Sequence, residues 1–461
     1  MEKGKEHIRL IILGCLIVAT IMQTALLWLG SMSSHNFLKQ NIDYKPILPM
    51  NIWVVESGNN DVEGVNSLAF YLGDTTGNGK KDYERLTSEL SKVVNEYKRD
   101  TPLTQLEGVE WNKLLSMPSI VFEYELPLKL DSITGISHTS NLTQPIDYVL
   151  IHSKNKFQKD AILYLINSKE DYYYELNVQG RFLDMGKIYT TVTEEDLTKH
   201  ITTYQPSAIF ENVQIRGNVF LPTSSKETLV TYPVLELYNP IDLNTESGEQ
   251  LLEAKVNDFF QSPLAKDKTV YDNGSIVYTE NMRTILSYNP LGVIEYLNLA
   301  PKQTQKVTNL LQGYNKVLEF IYNTEAISKG TAEKLYLSRI TREKDESITY
   351  YFDRTYDGYR VQLSKDLKKE LGIDSYLQVN VKGNDFMNMK ICTLEILKKS
   401  QTKAFKSHYL EALDEMYSYF MKEEIDDWII DRLELVYLAK GIGAPVEITW
   451  GVLYKQMWYY P

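Results

Sequence analysis

The sequence has 461 residues, of which 43% are hydrophobic and 24% are charged, a globular composition that excludes a disordered or collagen-like chain. Acidic residues outnumber basic ones by 61 to 49, and no long basic run exists to follow a phosphate backbone, so nucleic acid is not an expected partner. The two cysteines, Cys15 and Cys392, cannot build a disulfide framework.

Residues 10–30 form an apolar run without a single charge. A helix needs about 20 such residues to cross the hydrocarbon core of a bilayer, so the run predicts an uncleaved transmembrane helix. Lys3, Lys5 and Arg9 precede it, which favours a cytosolic tail at 1–9 and places the rest of the chain outside the cell. The sequence therefore predicts a single-pass protein of the cell membrane with an extracellular C-terminal part.

One face of this predicted helix is polar. Thr20, Gln23 and Thr24 are three and four residues apart, which places them on the same side of a helix. In lipid, a glutamine amide gains by hydrogen bonding to another helix, so this face is a candidate surface for a transmembrane partner. The alternative is that Thr and Gln side chains occur in single-pass anchors without consequence.

A polar, proline-containing stalk is predicted at 31–50, and a first α+β domain at 51–205. Apolar side chains of 120–130 alternate with Glu123 and Glu125, which predicts a half-buried antiparallel strand. Thr193 and the three acidic residues after it resemble a capped helix N-terminus, which predicts a helix to about residue 204. The other elements expected here are strands at 51–57, 67–73, 146–152, 161–167 and 172–178, and a helix at 81–97.

Two further α+β domains are predicted at 206–300 and 301–461. Asn273-Gly274 indicates a tight hairpin turn, and the segment from Asn289 to Gly292 indicates a second one. The predicted helices are 247–261, 304–322 and 408–422, and the predicted strands are 218–221, 229–238, 282–288, 293–298, 333–341, 346–354, 376–382, 386–397, 429–440 and 446–455. This order predicts an α+β fold: an N-terminal transmembrane helix, then antiparallel sheets with packed helices in about three domains.

Short motifs in the last two domains resemble the YycH family. In the central region they are Phe220-Leu221-Pro222, Tyr271-Asp272-Asn273-Gly274, Leu286-Ser287-Tyr288-Asn289-Pro290 and the segment 292–298. The region 301–461 carries Tyr351-Phe352-Asp353, Asp357-Gly358 and the segments 435–437 and 444–450. These are similar to the PepSY-like strand patterns that YycH and YycI proteins share.

The resemblance implies a function. YycH proteins are membrane-anchored extracytoplasmic regulators in Gram-positive bacteria that act with YycI on the WalK/YycG sensor histidine kinase of cell-wall homeostasis. It therefore implies two protein partners, a sensor histidine kinase and a YycI-like protein, and neither catalysis nor a cofactor. The alternative is an extracytoplasmic cell-wall-associated hydrolase or a ligand-binding module.

Motifs for metal binding and catalysis are sparse. Asp74, Asn78 and Asp82 have the spacing of a calcium loop, but Arg85 stands where a bidentate carboxylate belongs. The alternative is a glycine-rich turn before the predicted helix at 81–97. Ser400 and Lys403 form an S-x-x-K tetrapeptide, as in penicillin-interacting enzymes, without the accompanying S-D-N or K-T-G motifs. The six histidines occur singly, so no zinc site and no catalytic residue is predicted.

Overall fold

The computed structural model describes a defined part of the chain. The described residues are 45–55, 68–72, 86, 87, 90, 104–106, 114, 118–135, 144–153, 161–168, 170, 172–178, 199–202, 207–210, 213–215, 220–222, 228–301, 309–422, 428–455 and 457–461. The chain consists of two compact units, Met1–Asp43 and Tyr44–Pro461, and all described residues belong to the second one. None of their helices is long and apolar enough to cross a bilayer. The predicted segment at 10–30 lies outside the described residues.

The described residues form mostly antiparallel sheets with a few packed helices, which is the predicted α+β class. The strands are β1 (Asn51–Val55), β2 (Leu68–Leu72), β3 (Thr104–Leu106), β4 (Ser119–Leu128), β5 (Ile146–Ser153), β6 (Ala161–Asn167), β7 (Tyr172–Val178), β8 (Lys199–Thr202), β9 (Ser207–Phe210), β10 (Val213–Ile215), β11 (Phe220–Pro222), β12 (Thr228–Tyr238), β13 (Asp267–Val270), β14 (Ile276–Glu280), β15 (Thr284–Asn289), β16 (Val293–Asn298), β17 (Leu335–Arg342), β18 (Ile348–Tyr356), β19 (Tyr359–Leu363), β20 (Leu377–Lys382), β21 (Asp385–Cys392), β22 (Glu395–Ser407), β23 (Trp428–Ile430), β24 (Arg432–Ala439), β25 (Pro445–Tyr454) and β26 (Met457–Tyr459).

The helices are α1 (Leu130–Thr134), α2 (Glu246–Asn257), α3 (Leu310–Asn323), α4 (Lys329–Ala332), α5 (Lys365–Leu371) and α6 (Tyr409–Lys422). Local sequence explains where several of them begin. The Thr245 hydroxyl accepts a hydrogen bond from the Gly248 N–H at the start of α2, and Asn309 caps α3 in the same way through the N–H groups of Leu311 and Gln312. The predicted helices at 247–261, 304–322 and 408–422 correspond to α2, α3 and α6, with ends that differ by a few residues. Residues 304–308 lie outside the described part of the chain.

Three sheets contain these strands. In the first sheet, nine described strands follow the order β11-β8-β2-β1-β4-β5-β6-β7-β3, with antiparallel neighbours. The large sheet has fourteen described strands along the path β13-β14-β15-β16-β21-β20-β18-β19-β24-β25-β12-β22, with β17 beside β18 and β26 beside β25. A small sheet, β23-β10-β9, joins residues 213–215 to 428–430. The division into domains at 51–205, 206–300 and 301–461 stays a prediction.

The hairpin turns predicted in the large sheet are confirmed. Gly274 has φ +79° and Gly292 has φ +95°, in the left-handed region that glycine adopts without strain. Gly274 N–H donates to Tyr271 O, and Gly292 N–H donates to Asn289 O. The first turn joins β13 to β14 and the second joins β15 to β16, and both pairs are antiparallel.

Two predicted elements are corrected. The helix predicted over 193–204 is wrong for residues 199–202, which form β8 between β2 and β11. Its partners are distant in sequence, so local capping signals could not reveal them. The single strand predicted at 386–397 is two strands, because Thr393 bonds to Gly292 O through its N–H and its hydroxyl and separates β21 from β22.

The core of the large sheet lies under α3. Val317 and Ile321 of this helix are fully or almost fully buried in a cluster that also contains Leu377, Val379 and Phe352. Tyr314 stacks on Phe352 with ring centroids 6.3 Å apart. The helix is therefore fixed on the sheet by an apolar face with helical spacing.

Candidate functional site at the junction of the two sheets

Five charged side chains meet where the first sheet adjoins the large sheet. Two of them, Glu123 and Arg360, are buried, and the other three are partly buried. Glu123 and Glu125 come from β4, Arg360 from β19, and Arg432 and Glu434 from β24. Arg432 Nη2 lies 2.8 Å from Glu123 Oε1, and Arg432 Nη1 lies 2.5 Å from Glu125 Oε2. Arg360 Nη2 is 2.8 Å from the same Glu125 oxygen, and Arg360 Nε contacts Glu434. We call these five residues the junction cluster.

Glu123 is the best satisfied member of the junction cluster. Its Oε2 accepts hydrogen bonds from Asn51 Nδ2 at 2.8 Å and Trp53 Nε1 at 3.1 Å. Its Oε1 accepts from the Tyr148 hydroxyl at 3.0 Å and from Arg432 Nε at 3.1 Å. The sequence prediction of a half-buried strand is wrong here, because Glu123 is only 4% exposed. Apolar residues cover the neighbouring part of that face of β4, and Arg432 covers the carboxylates.

Arg360 is the most deeply buried cation of the cluster. Its side chain is 2% exposed, and its guanidinium lies 5.2 Å from the Tyr336 ring centroid and 5.4 Å from that of Trp458. Its Nε and Nη2 atoms reach carboxylates at ion-pair distance without the alignment of a hydrogen bond. The contacts of Arg360 are therefore mainly those of charge and of aromatic faces.

The three carboxyl groups of the cluster differ in their pKa values. Burial alone would raise the pKa of Glu123, but Arg432 and the hydrogen bonds from Asn51 and Trp53 outweigh it, so this pKa is lowered. For Glu125, Arg360 and Arg432 likewise outweigh burial and lower the pKa. For Glu434, burial dominates and raises the pKa above its ordinary value. Since three carboxyl groups face two guanidinium groups, Glu434 is the group that takes up a proton first.

A cleft of about 290 Å³ borders the junction cluster. Glu125 and Tyr336 lie where the cleft meets the cluster, and its apolar lining includes Ile47, Leu126, Tyr314, Leu318, Leu335 and Phe352. One wall is the segment Lys45–Met50, which we call the strap. The strap continues directly into β1, so the cleft lies beside the first described residues of the chain.

Most sequence-predicted site residues lie outside the described residues. This holds for Thr20, Gln23 and Thr24 of the predicted transmembrane face, and for Asp74, Asn78 and Asp82 of the calcium-loop candidate. In the described part of the chain, no group of three or more His, Cys, Asp or Glu side chains is arranged to hold a metal ion. The transmembrane face and the calcium loop therefore stay predictions.

Ser400 and Lys403 are both on β22. The Lys403 ammonium forms an ion pair with Glu447 of β25, and the hydrogen bond that it donates to this carboxylate raises the pKa of Lys403. A lysine that activates a serine must be neutral. The pairing with Glu447 therefore opposes a catalytic use of the S-x-x-K tetrapeptide.

Sequence reasoning did not single out the junction cluster. Glu123 and Arg432 are 309 positions apart, and each lies among alternating apolar residues, like an ordinary charge on the solvent face of a strand. The signal that was present is the pair Glu123 and Glu125 on one face of β4, because two like charges on one strand face need a cationic partner if they are buried.

Comparisons with known proteins identify the fold. No family model matches the chain, and no curated protein is significantly similar to it. The structure is similar to YycH from Bacillus subtilis, with a TM-score of 0.57 and 13% sequence identity, over 92% of this chain and 99% of that one. An uncharacterized protein from Eubacterium rectale matches with a TM-score of 0.36 and 10% identity, over 55% of this chain and 84% of that one. The first similarity shows that the chain has a YycH-like fold.

Proposed function

We propose that this YycH-like chain is a membrane-anchored extracytoplasmic regulator of a WalK/YycG-type sensor histidine kinase, acting together with a YycI-like protein. The observation that carries the proposal is the fold, which corresponds to 99% of the Bacillus subtilis YycH chain and 92% of this one. The uncharged apolar run at 10–30 supports the membrane anchor, because its length suits a helix that crosses the hydrocarbon core.

The proposed mechanism is a shift between two states of the kinase. The anchor helix contacts the membrane helices of the kinase through Thr20, Gln23 and Thr24, and the outer part contacts the YycI-like protein and the kinase sensor region. A coupling free energy of about 1–3 kcal/mol is enough to shift the equilibrium between the two kinase states about 5- to 150-fold. Such a regulator needs differential contacts with the two kinase states and no chemistry of its own.

Deletion of the gene tests the proposal. In the native host we expect the phosphorylated fraction of the cognate response regulator to change on deletion and to return to its original level when the full chain is restored. Unchanged phosphorylation would refute the regulatory function. Turnover of a cell-wall substrate by the purified chain would instead support the hydrolase alternative.

The transmembrane face has its own test. Gln23→Leu keeps the segment apolar but removes the amide that can hydrogen-bond in lipid, so we expect several-fold weaker co-purification with the kinase and a smaller effect on its output. Met22→Leu, about a quarter turn away on the same predicted helix, is the matched control. Equal co-purification and kinase output for the two variants would remove this face from the mechanism.

A further inference from the structure

We infer that Asn315 is a positioning residue that fastens the strap, Lys45–Met50, to the large sheet, and that the strap is the joint through which the folded part acts on the anchor. The inference rests on the proposed function and adds to it a route from the outer part to the membrane. It is carried by hydrogen bonds at both ends of the strap.

The first end of the strap is held chiefly by the Asn315 side chain. Asn315 Oδ1 accepts a hydrogen bond from the Lys45 N–H at 2.7 Å, and Asn315 Nδ2 donates to the Lys45 carbonyl at 3.1 Å. One amide therefore pairs with both backbone groups of Lys45, as a neighbouring strand would. The Lys45 ammonium also lies 5.2 Å from the Tyr322 ring centroid, two turns further along α3.

Asn315 is itself fixed to a rigid element. Its Nδ2 also donates to Leu311 O one turn earlier in α3, at 2.9 Å, which orients the amide. Tyr350 of β18 donates its hydroxyl to Leu310 O at 2.6 Å, so the beginning of α3 is tied to the sheet. A displacement of the large sheet therefore carries Asn315, and with it Lys45.

The other end of the strap belongs to the first sheet. The Ile47 N–H donates to Ser132 O of α1 at 2.8 Å, and the Met50 N–H donates to Glu123 O of β4 at the same distance. Ile47 is only 4% exposed. Within six residues the chain thus passes from a contact with α3 to contacts with α1 and β4, which are remote from α3 in sequence.

The strap also has space beneath it. It forms one wall of the 290 Å³ cleft, and Leu48 at its middle is 51% exposed. Because Lys45 is held by α3 whereas Ile47 and Met50 are held by α1 and β4, a shift between the two sheets can be taken up within the strap. In sequence, the strap is the described segment nearest to the predicted anchor at 10–30.

Asn315→Leu tests the fastening directly. Leucine has a higher helix propensity than asparagine, so α3 is retained while both hydrogen bonds to Lys45 are lost. In the full chain in lipid nanodiscs, we expect hydrogen exchange at the Lys45 amide to become about tenfold faster, with exchange in β18 unchanged. Asn323→Leu makes the same change at an exposed position of α3 and should leave exchange at Lys45 as it is. Equal hydrogen-exchange rates at the Lys45 amide in the two variants would overturn the inference that Asn315 fastens the strap.

The regulatory role needs a second readout. In the deletion strain, the Asn315→Leu chain should shift response-regulator phosphorylation most of the way toward the deletion level, while thermal stability and capture of the YycI-like protein remain those of the original chain. Asn315→Asp keeps the acceptor for the Lys45 N–H but loses the donor to its carbonyl, so it should have an intermediate effect. A merely structural role would change stability and partner capture instead.

The outcomes separate this inference from the proposed function. If deletion changes phosphorylation but Asn315→Leu complements fully, the strap is not the joint and the regulatory function stands. If deletion itself has no effect, the proposed function fails, and the joint fails with it.

Discussion

The region beneath α3 and the junction cluster are both buried, but they are held together differently. Under α3, the contacts are between apolar side chains such as Val317, Ile321 and Leu377. At the junction, two arginines and three glutamates meet, and their side chains are between 2% and 24% exposed. Apolar packing accepts small changes of shape, whereas a buried ion pair needs one arrangement of donors and acceptors. We therefore expect the apolar region to supply stability and the junction cluster to fix how the two sheets meet.

The largest expected effect comes from removing the central cation of the junction. Arg432→Met leaves Glu123 without its charged partner and Glu125 with only Arg360, so it should lower the free energy of unfolding by about 3–5 kcal/mol, measured by urea denaturation. The control is Lys382→Met at the exposed pair with Asp345, which should cost less than about 1 kcal/mol. Similar losses for both variants would contradict the distinction between the junction and the surface.

A pair of conservative substitutions sharpens the comparison. Arg432→Lys keeps the charge but cannot bond to both carboxylates in the same geometry, so we expect a loss of about 1.5–3 kcal/mol. Leu377→Met conserves volume in the apolar region and should cost less than about 1.5 kcal/mol. Comparison of the two denaturation midpoints is the measurement, and a larger loss for Leu377→Met would reverse our view of the two regions.

The smallest effect is expected for the surplus carboxyl group. Glu434→Gln leaves two carboxylates facing two guanidiniums, so the free energy of unfolding at pH 7 should change by no more than about 1 kcal/mol. Because the pKa of Glu434 is raised in the folded state above its ordinary value of 4.5, the original chain loses stability as the pH rises from 4.5 through that raised pKa. The variant lacks this loss, so it should gain relative to the original chain over that window.

Glu125→Gln should show the opposite pH signature. The pKa of Glu125 is lowered below 4.5 in the folded state, so its contribution to stability is present above pH 4.5 and is lost as the pH falls through the lowered value. The difference between this variant and the original chain should therefore change only below pH 4.5. Unfolding curves between pH 3 and 8 would distinguish the two variants. The same pH profile for both would contradict the statement that Glu434 is the first carboxyl group of the cluster to be protonated.

Local patterns predicted much of the large sheet. The helix predicted at 247–261 is α2 at Glu246–Asn257, because its apolar residues have helical spacing and Thr245 caps it. The strands predicted at 293–298 and 376–382 are β16 and β20. In each case the hydrophobic period and an adjacent turn or cap point to the same structure, so no distant partner is needed to decide it.

The sequence could not predict elements that depend on distant partners. Residues 398–406 of β22 are rich in lysine and have no apolar alternation, yet they form a strand because β12 pairs along them. The contact between Glu123 and Arg432 also depends on residues far apart in sequence, and neither position shows locally that its side chain will be covered. The hydrogen bonds between Asn315 and Lys45 could not be predicted either, because the two residues are 270 positions apart in sequence.

The position of β12 in the large sheet also affects when the protein can fold. Leu235 of β12 is paired with Val446 of β25 and with Lys398 of β22. β12 therefore cannot pair fully until two strands that are synthesised much later have been made. Pairing over such separations makes folding slow, and β12 has an unsatisfied backbone until β22 and β25 arrive. If the chain is exported with its N-terminus first, the unpaired backbone of β12 stays open to a chaperone until β25, which ends at Tyr454, has also been exported.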